Sequence, residues 1–133
     1  MILLDTHTLL WLDTADRRLG RKTRALVEQQ WSGNRVAVSA ISFWEAGMLT
    51  ARGRFRLAVP IAQWRLSWLS AGLIEFPLDG AVMLRSLDFA ALPEDPADRF
   101  IAATALSAEA TLVTADERLL AWPHTLERHD ARS

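Results

Sequence analysis

Four short stretches that are apolar nearly throughout, at residues 2–5, 36–39, 73–76 and 111–114, constrain this chain more than any other feature. Strands with one wet face alternate apolar and polar residues. Runs without alternation are expected where strands of a parallel sheet are covered on both faces. A weaker fifth run follows Pro123, over residues 125–127.

Helical patterns fill the intervals. A short helix fits 8–12, and a longer one fits 21–31 after the loop around Gly20. Ser39 or Ser42 starts a third, which runs to about Arg52 with Gly53 as its stop. Pro60 opens a fourth, in which Trp64 and Trp68 share a face and fill the core. Asp79 caps a helix over 80–87, Pro96 opens one that ends near Glu109, and a short one follows Asp116. Strands alternating with helices define an α/β domain, and 133 residues suit one domain with one sheet. Right-handed crossovers then put every strand C-terminus and every helix N-terminus on one rim. Ligands of open α/β sheets bind at that rim, where the strand order reverses.

Four acids fall there. Asp5 ends the first strand, Glu45 lies early in the helix after the second, Asp98 lies early in the helix before the fourth, and Asp116 follows the fourth. Each has an ordinary alternative as helix-start chemistry. Asp5 can cap the next helix. Ser42 with Glu45, and Thr114 with Glu117, match the capping-box pattern. In PEDPADR (93–99), Asp95 suits the cap, Pro96 the first helical position and Glu94 the loop surface. Asp98 complements the helix dipole, which favours its ionised form.

Helix faces separate the two readings. Asp98 shares a face with Ile101, Ala102 and Ala105, and Glu45 shares one with Ile41, Met48 and Leu49, so both point where burial is expected. Buried carboxylates need partners. Two like charges 4 Å apart repel by roughly 4 kcal/mol at an effective dielectric of 20. No lysine lies near these acids in sequence, and Arg99 sits about 100° round the helix from Asp98. A divalent cation is the natural counter-charge, and an all-oxygen donor set prefers magnesium or manganese. Such a centre suits phosphodiester hydrolysis, with one ion or with two.

At this point the chain resembles a known family. LLDTHTLLWL, SAISFWEAGML, DPADRFIAATAL and LVTADERL, in that order, are similar to the motifs of PIN-domain ribonucleases, and more narrowly of the VapC toxins of bacterial toxin–antitoxin pairs. The resemblance covers nearly the whole chain. It implies a three-layer α/β/α fold around a four- to five-stranded parallel sheet, an endoribonuclease dependent on Mg2+ or Mn2+, and inhibition by a VapB-like antitoxin. It further implies catalytic and metal-binding roles for Asp5, Glu45, Asp98 and Asp116, with Glu117 as the alternative fourth acid. Thr6 and Thr114 match flanking polar positions. His7 departs from the pattern, because many members carry a smaller polar residue there.

The remaining features bear on partners. RRLGRKTR at 17–24 and RGRFR at 52–56 are arginine-rich, and Arg52, Arg54 and Arg56 are candidate RNA contacts, with Phe55 or Trp11 as a stacking surface. The other reading is a solvated charged face. The helix bearing Trp64 and Trp68 is a candidate dimer or antitoxin surface. A formal net charge of −1 argues against a protein coated in positive charge. The absence of cysteine excludes disulfides and thiolate zinc sites. No apolar run reaches the roughly 18 residues of a membrane span, and the N-terminus lacks the basic segment of a signal peptide, so the cytoplasm is the expected compartment; a homodimer is expected separately, with the tryptophan helix as a candidate interface. Aspartyl phosphatases and receiver domains fit poorly: position 7 is His where the former place a second Asp, and no strand precedes Lys22. A PIN-like module that binds RNA or protein without cutting is the non-enzymatic alternative.

Overall fold

Described over residues 1–92 and 94–133 in a computed structural model, the apolar runs pair into one parallel sheet. Its strands are β1 (Ile2–Leu4), β2 (Val36–Ser39), β3 (Ile74–Phe76), β4 (Thr111–Thr114) and β5 (Arg128–Asp130), in the order β3-β2-β1-β4-β5. Helices α1 (Thr6–Asp13), α2 (Arg21–Ser32), α3 (Ile41–Ala51), α4 (Ile61–Ser70), α5 (Gly80–Arg85), α6 (Pro96–Ser107) and α7 (Glu117–Ala121) fill the connections.

Burial explains the missing alternation. Leu3 is in register with Ala37 and Leu112, and all three pack with α5, α6 and α7 through Val82, Ile101 and Leu119. Their neighbours Ile2, Leu4, Val36, Val38 and Val113 join the opposite layer, with Leu9, Val27, Phe43 and Trp64 of α1 to α4. Both sheet faces are therefore dry, giving the α/β/α sandwich. Each fully buried Leu or Ile contributes roughly 2 kcal/mol relative to exposure. Trp64 fills the α1–α4 side as expected, edge-on to Phe43, and its indole Nε1 donates to Asp13 Oδ1 at 3.1 Å. Trp68 is only partly buried and packs against that cluster.

The fifth strand lies three residues later than its sequence signal. At 125–127 the chain is still crossing the sheet end: Leu126 N–H donates to His124 Nδ1 at 3.0 Å, and its side chain is buried among α5–α7. Pairing begins where Glu127 C=O accepts from Leu112 N–H at 2.9 Å. The strand proper, Arg-His-Asp, is a half-buried edge, so no apolar run marks it. Gly53 stops α3 as expected, with φ of +70° at the position after the cap.

Candidate active site

The strand order reverses between β1 and β4, and the crevice beyond their carboxyl ends holds the acids. Asp5 leaves β1 and caps α1, which begins two residues earlier than the sequence suggested. Its Oδ1 accepts from Thr6 N–H at 2.7 Å, while its Oδ2 accepts from Thr114 Oγ1 at 2.6 Å across the crevice. The cap and the site are thus the same carboxylate.

The capping box that is the alternative role for Ser42 and Glu45 does not form. Helix α3 starts after Ala40, and of the two serines expected at its start it is Ser39 whose Oγ accepts from the first helical N–H, that of Ile41, at 3.3 Å. Thr6 Oγ1 reaches instead to both Ser42 Oγ (2.9 Å) and Glu45 Oε1. Two residues spaced like a cap are turned inward by a hydroxyl from another element, which directs Glu45 to the crevice. At α6 the expected division of labour holds: Asp95 Oδ1 accepts from Ala97 N–H at 3.0 Å, Pro96 opens the helix, and Asp98 is buried. Asp116 caps α7 by accepting from the N–H groups of Arg118 (2.8 Å) and Leu119 (3.3 Å). Glu117, by contrast, is exposed and faces Arg132 at 3.7 Å. Thr114 takes no part in a capping box with Glu117; it accepts from Asp116 N–H at 3.1 Å while donating to Asp5.

Asp5, Glu45, Asp98 and Asp116 line one cleft of about 300 Å3, together with His7, Trp11, Asp95, Arg118 and Arg132. Burial pushes the Asp5 carboxyl up, against the hydrogen bonds from Thr114 and Thr6. Burial and then the neighbouring charges of Asp5 and Asp95 raise Asp98 to about 7. Burial, partly opposed by Thr6, raises Glu45 to about 6. In the metal-free cleft, desolvation and like charge therefore outweigh the help that the α6 N-terminus gives the ionised form of Asp98. Asp116 differs. Burial pushes it up, but the hydrogen bonds from Arg118 overcome this and leave it below its ordinary value.

Arg118 is the residue that sequence reasoning missed. Its Nη2 lies 3.3 Å from Asp98 Oδ2 and 3.2 Å from Asp116 Oδ2. Two positions from an acid on a five-residue helix, it has no periodicity to mark it. Arg99 is indeed turned away, donating to the carbonyls of Ser86, Phe89 and Leu92.

Two grooves adjoin the cleft. One shares Glu45 and Asp95 with it and runs past Ile41, Met48, Phe100 and Arg52, flanked by Trp44, which is 60% exposed. Trp44 was also missed, although its i,i+4 spacing to Met48 could have placed both on one face. The other shares His7 and Trp11 and reaches Arg18, Arg54 and Phe55. Trp11 is not an open stacking surface: it is buried, with the Arg18 guanidinium 4.8 Å from its ring centre. Arg56 is exposed on the same loop as Arg54. His124 and His129 lie elsewhere, stacked on Trp122 and bonded to Thr23, respectively.

Whether these acids fit a divalent ion turns on their chemistry. All are oxygen donors of the kind magnesium and manganese prefer. Two are raised first by burial and then by the like charge around them, and a bound cation would oppose both effects. Among the described residues, no three acids are already gathered closely enough to chelate one ion. Asp5 and Glu45 are engaged by threonine hydroxyls, and Asp98 and Asp116 by Arg118.

A parallel sheet in this order, with acids converging at its switch point, is the arrangement of a PIN domain. The model of that family, described as "PIN domain", matches residues 2–123, and the chain belongs to it. Within the family it is VapC-like: it is 34% identical over 131 residues to ribonuclease VapC22 of Mycobacterium tuberculosis (strain ATCC 25618 / H37Rv), covering 92% of each chain. Its fold is shared with a chain of the VapBC2 complex of Rickettsia felis bound to a promoter DNA fragment (TM-score 0.71, 18% identity, 97% of this chain and 98% of that one). A chain of a toxin–antitoxin complex from Klebsiella pneumoniae is also similar (TM-score 0.64, 19% identity, 98% of each).

Proposed function

We propose that this protein is the toxin of a type II toxin–antitoxin pair and acts as a Mg2+- or Mn2+-dependent endoribonuclease. The observation that carries this reading is the convergence of Asp5, Glu45, Asp98 and Asp116 on one cleft, where burial and neighbouring like charge raise Glu45 and Asp98. The family and the VapC22 likeness supply the direction of the chemistry.

In this reading Asp5, Glu45, Asp98 and Asp116 would hold the ion, which would supply activation of water and neutralisation of charge on the phosphate oxygens. Thr114 fixes Asp5 by one oxygen, and Thr6 fixes Glu45 by Oε1, so both carboxylates are oriented before substrate arrives. Glu45 and Asp98, both raised above the ordinary carboxylate range, are the acids whose proton affinity suits accepting the proton of the attacking water. The water oxygen bonds to phosphorus as the bond to the 3′-oxygen breaks, leaving 5′-phosphate and 3′-hydroxyl ends. The flanking grooves suit a strand crossing the cleft, with Arg52 on one side, Arg54 on the other and Arg56 exposed nearby as backbone contacts.

The partners in this reading are an RNA substrate, a VapB-like antitoxin and a second copy of the chain. The antitoxin is suggested by the complexes in which the fold neighbours occur. Exposed Met83, Leu84 and Leu87 are consistent with self-association, which light scattering would measure. Among the described residues no helix is long and apolar enough to cross a membrane, and the cytoplasm is the compartment this reading implies.

The test is cleavage of end-labelled RNA by protein purified free of any partner. Cutting is expected with Mg2+ or Mn2+, none with chelator, and none by Asp98→Asn in either condition. No binding of manganese at the acids, together with no cleavage, would favour the inert binding module instead.

A further inference from the structure

Among the acids of the cleft, Asp98 and Asp116 come from different elements, and one guanidinium bridges them. Arg118 Nη2 is 3.3 Å from Asp98 Oδ2 and 3.2 Å from Asp116 Oδ2, while Nε lies 3.4 Å from Asp116 Oδ1. These contacts are long for charge-assisted hydrogen bonds. The Arg118 side chain is 57% exposed, so it reaches in from solvent and is not packed in place. Ion pairs of this kind are weak. Arg132 lines the same cleft, but its recorded ion pair is with exposed Glu117, at 3.7 Å. The cleft thus contains one cation engaged with the acids and another beside them.

All three oxygens that the Arg118 guanidinium engages belong to carboxylates assigned to the ion. A guanidinium and a divalent ion drawn to the same two carboxylates repel each other at contact distance and compete for the oxygens that Arg118 holds. Because the arginine is held loosely and mostly in water, its withdrawal opens no hole in the core. We infer that Arg118 is the built-in counter-cation of the acid cleft: it bridges Asp98 and Asp116 in the metal-free protein, and a divalent ion must displace it to bind. This rests on the metal-dependent reading above. The consequence is that Arg118 sets the metal concentration at which the site loads. Once displaced, its fork stands at the cleft rim, where the planar donors suit a phosphate of the substrate.

The experiment is calorimetric titration of Mn2+ into the wild-type protein, Arg118→Gln, Arg132→Gln and Asp98→Asn. Thermal melts would establish that each variant is folded. Arg118→Gln should bind Mn2+ about tenfold more tightly, the size that two partly exposed ion pairs support. Arg132→Gln removes the same charge from the same cleft and should change the affinity by less than about twofold. Asp98→Asn should lose the site. Equal tightening in both arginine variants would reduce Arg118 to a general field effect and overturn the inference. Unchanged or weaker binding in Arg118→Gln would overturn it as well, because a residue that merely supports Asp116 gives that result. Absence of Mn2+ binding in every protein would instead remove the metal reading itself. A second readout needs no substitution. The Arg118 side-chain Nε–Hε resonance should shift as Mg2+ is added and saturate with the site; a resonance that stays in place at saturating Mg2+ would also overturn the inference.

Discussion

Asp95 and Asp98 sit three positions apart on one helix start and divide its work. Asp95 supplies the cap through Ala97 N–H; Asp98, one turn in, is buried and raised to about 7. Asp95→Ala should therefore cost on the order of 1 kcal/mol in denaturant unfolding, as a lost cap does. It should also lower the Asp98 pKa, because Asp95 is one of the charges holding it up. Asp98→Asn should behave in the opposite way, abolishing cleavage while the metal-free fold becomes more stable at pH 8, where the native aspartate must be ionised in a desolvated site. A drop in stability for Asp98→Asn would contradict that account. Thr114 is the second residue whose role is local and measurable. Its buried hydroxyl donates to Asp5 Oδ2 at 2.6 Å and accepts from Asp116 N–H at 3.1 Å, tying acids of two strands together. Thr114→Val keeps the shape but leaves a buried carboxylate oxygen without its donor, a loss of about 1–3 kcal/mol. The Asp5 carboxyl should rise further, and binding of Mn2+ should weaken even though Thr114 need not touch the ion.

Helix starts are where these side chains are aimed, and they mark how far the sequence could be read. The parallel sheet, its first four strands and the α6 start were legible because they depend on local rules: apolar runs without alternation, and a cap followed by proline. The failures are tertiary. Ser42 and Glu45 have the spacing of a capping box, yet Thr6 of α1 takes both side chains, and nothing within α3 records that competitor. Strand β5 is a polar edge fixed from outside itself: the Arg128 guanidinium donates to the carbonyls of Leu119, Trp122 and His124. Arg118 enters the site only because α7 places it opposite α6. The C-terminal element shows the same dependence. Gly20 N–H donates to Ala131 C=O at 2.9 Å and Thr23 N–H to Ser133 C=O at 3.1 Å, so the start of α2 is pinned to the segment after β5. A Cβ on Gly20 would lie 1.8 Å from the Ser133 carbonyl oxygen, a clash with backbone that a rotamer cannot relieve. Gly20→Ala should lower stability by about 1–3 kcal/mol. Hydrogen exchange should locate the damage, with protection lost along β5 and the first turn of α2 and retained in β1 and β2. Uniform loss across the sheet would show that the C-terminal segment unfolds only with the whole.

Across the whole molecule charge is nearly balanced, with a formal net charge of −1, but it is not evenly distributed. The sheet topology collects acids from the β1–α1 junction, α3, α6 and the β4–α7 turn into one cleft, so folding concentrates negative charge that the unfolded chain keeps apart. Linkage fixes the sign of the result. Asp98 (about 7), Glu45 (about 6) and Asp5 (raised) bind protons more tightly folded than unfolded, where carboxylates titrate near pH 4. Their contribution to stability is fully present below about pH 4 and is lost as pH rises through about 6 to 7. The metal-free protein should therefore show a melting temperature that falls between pH 5 and pH 8. Asp98→Asn should flatten much of that slope. A divalent ion competes with the same protons, so Mg2+ or Mn2+ should raise the melting temperature far more at pH 8 than at pH 5. Differential scanning calorimetry at both pH values, with chelator and with saturating Mn2+, gives the four melting temperatures needed. If Mn2+ stabilised equally at both, or only at pH 5, the ion would not be neutralising these carboxylates. The opposite dependence marks a site whose acids are held together at a cost to the metal-free fold, which ion binding then offsets.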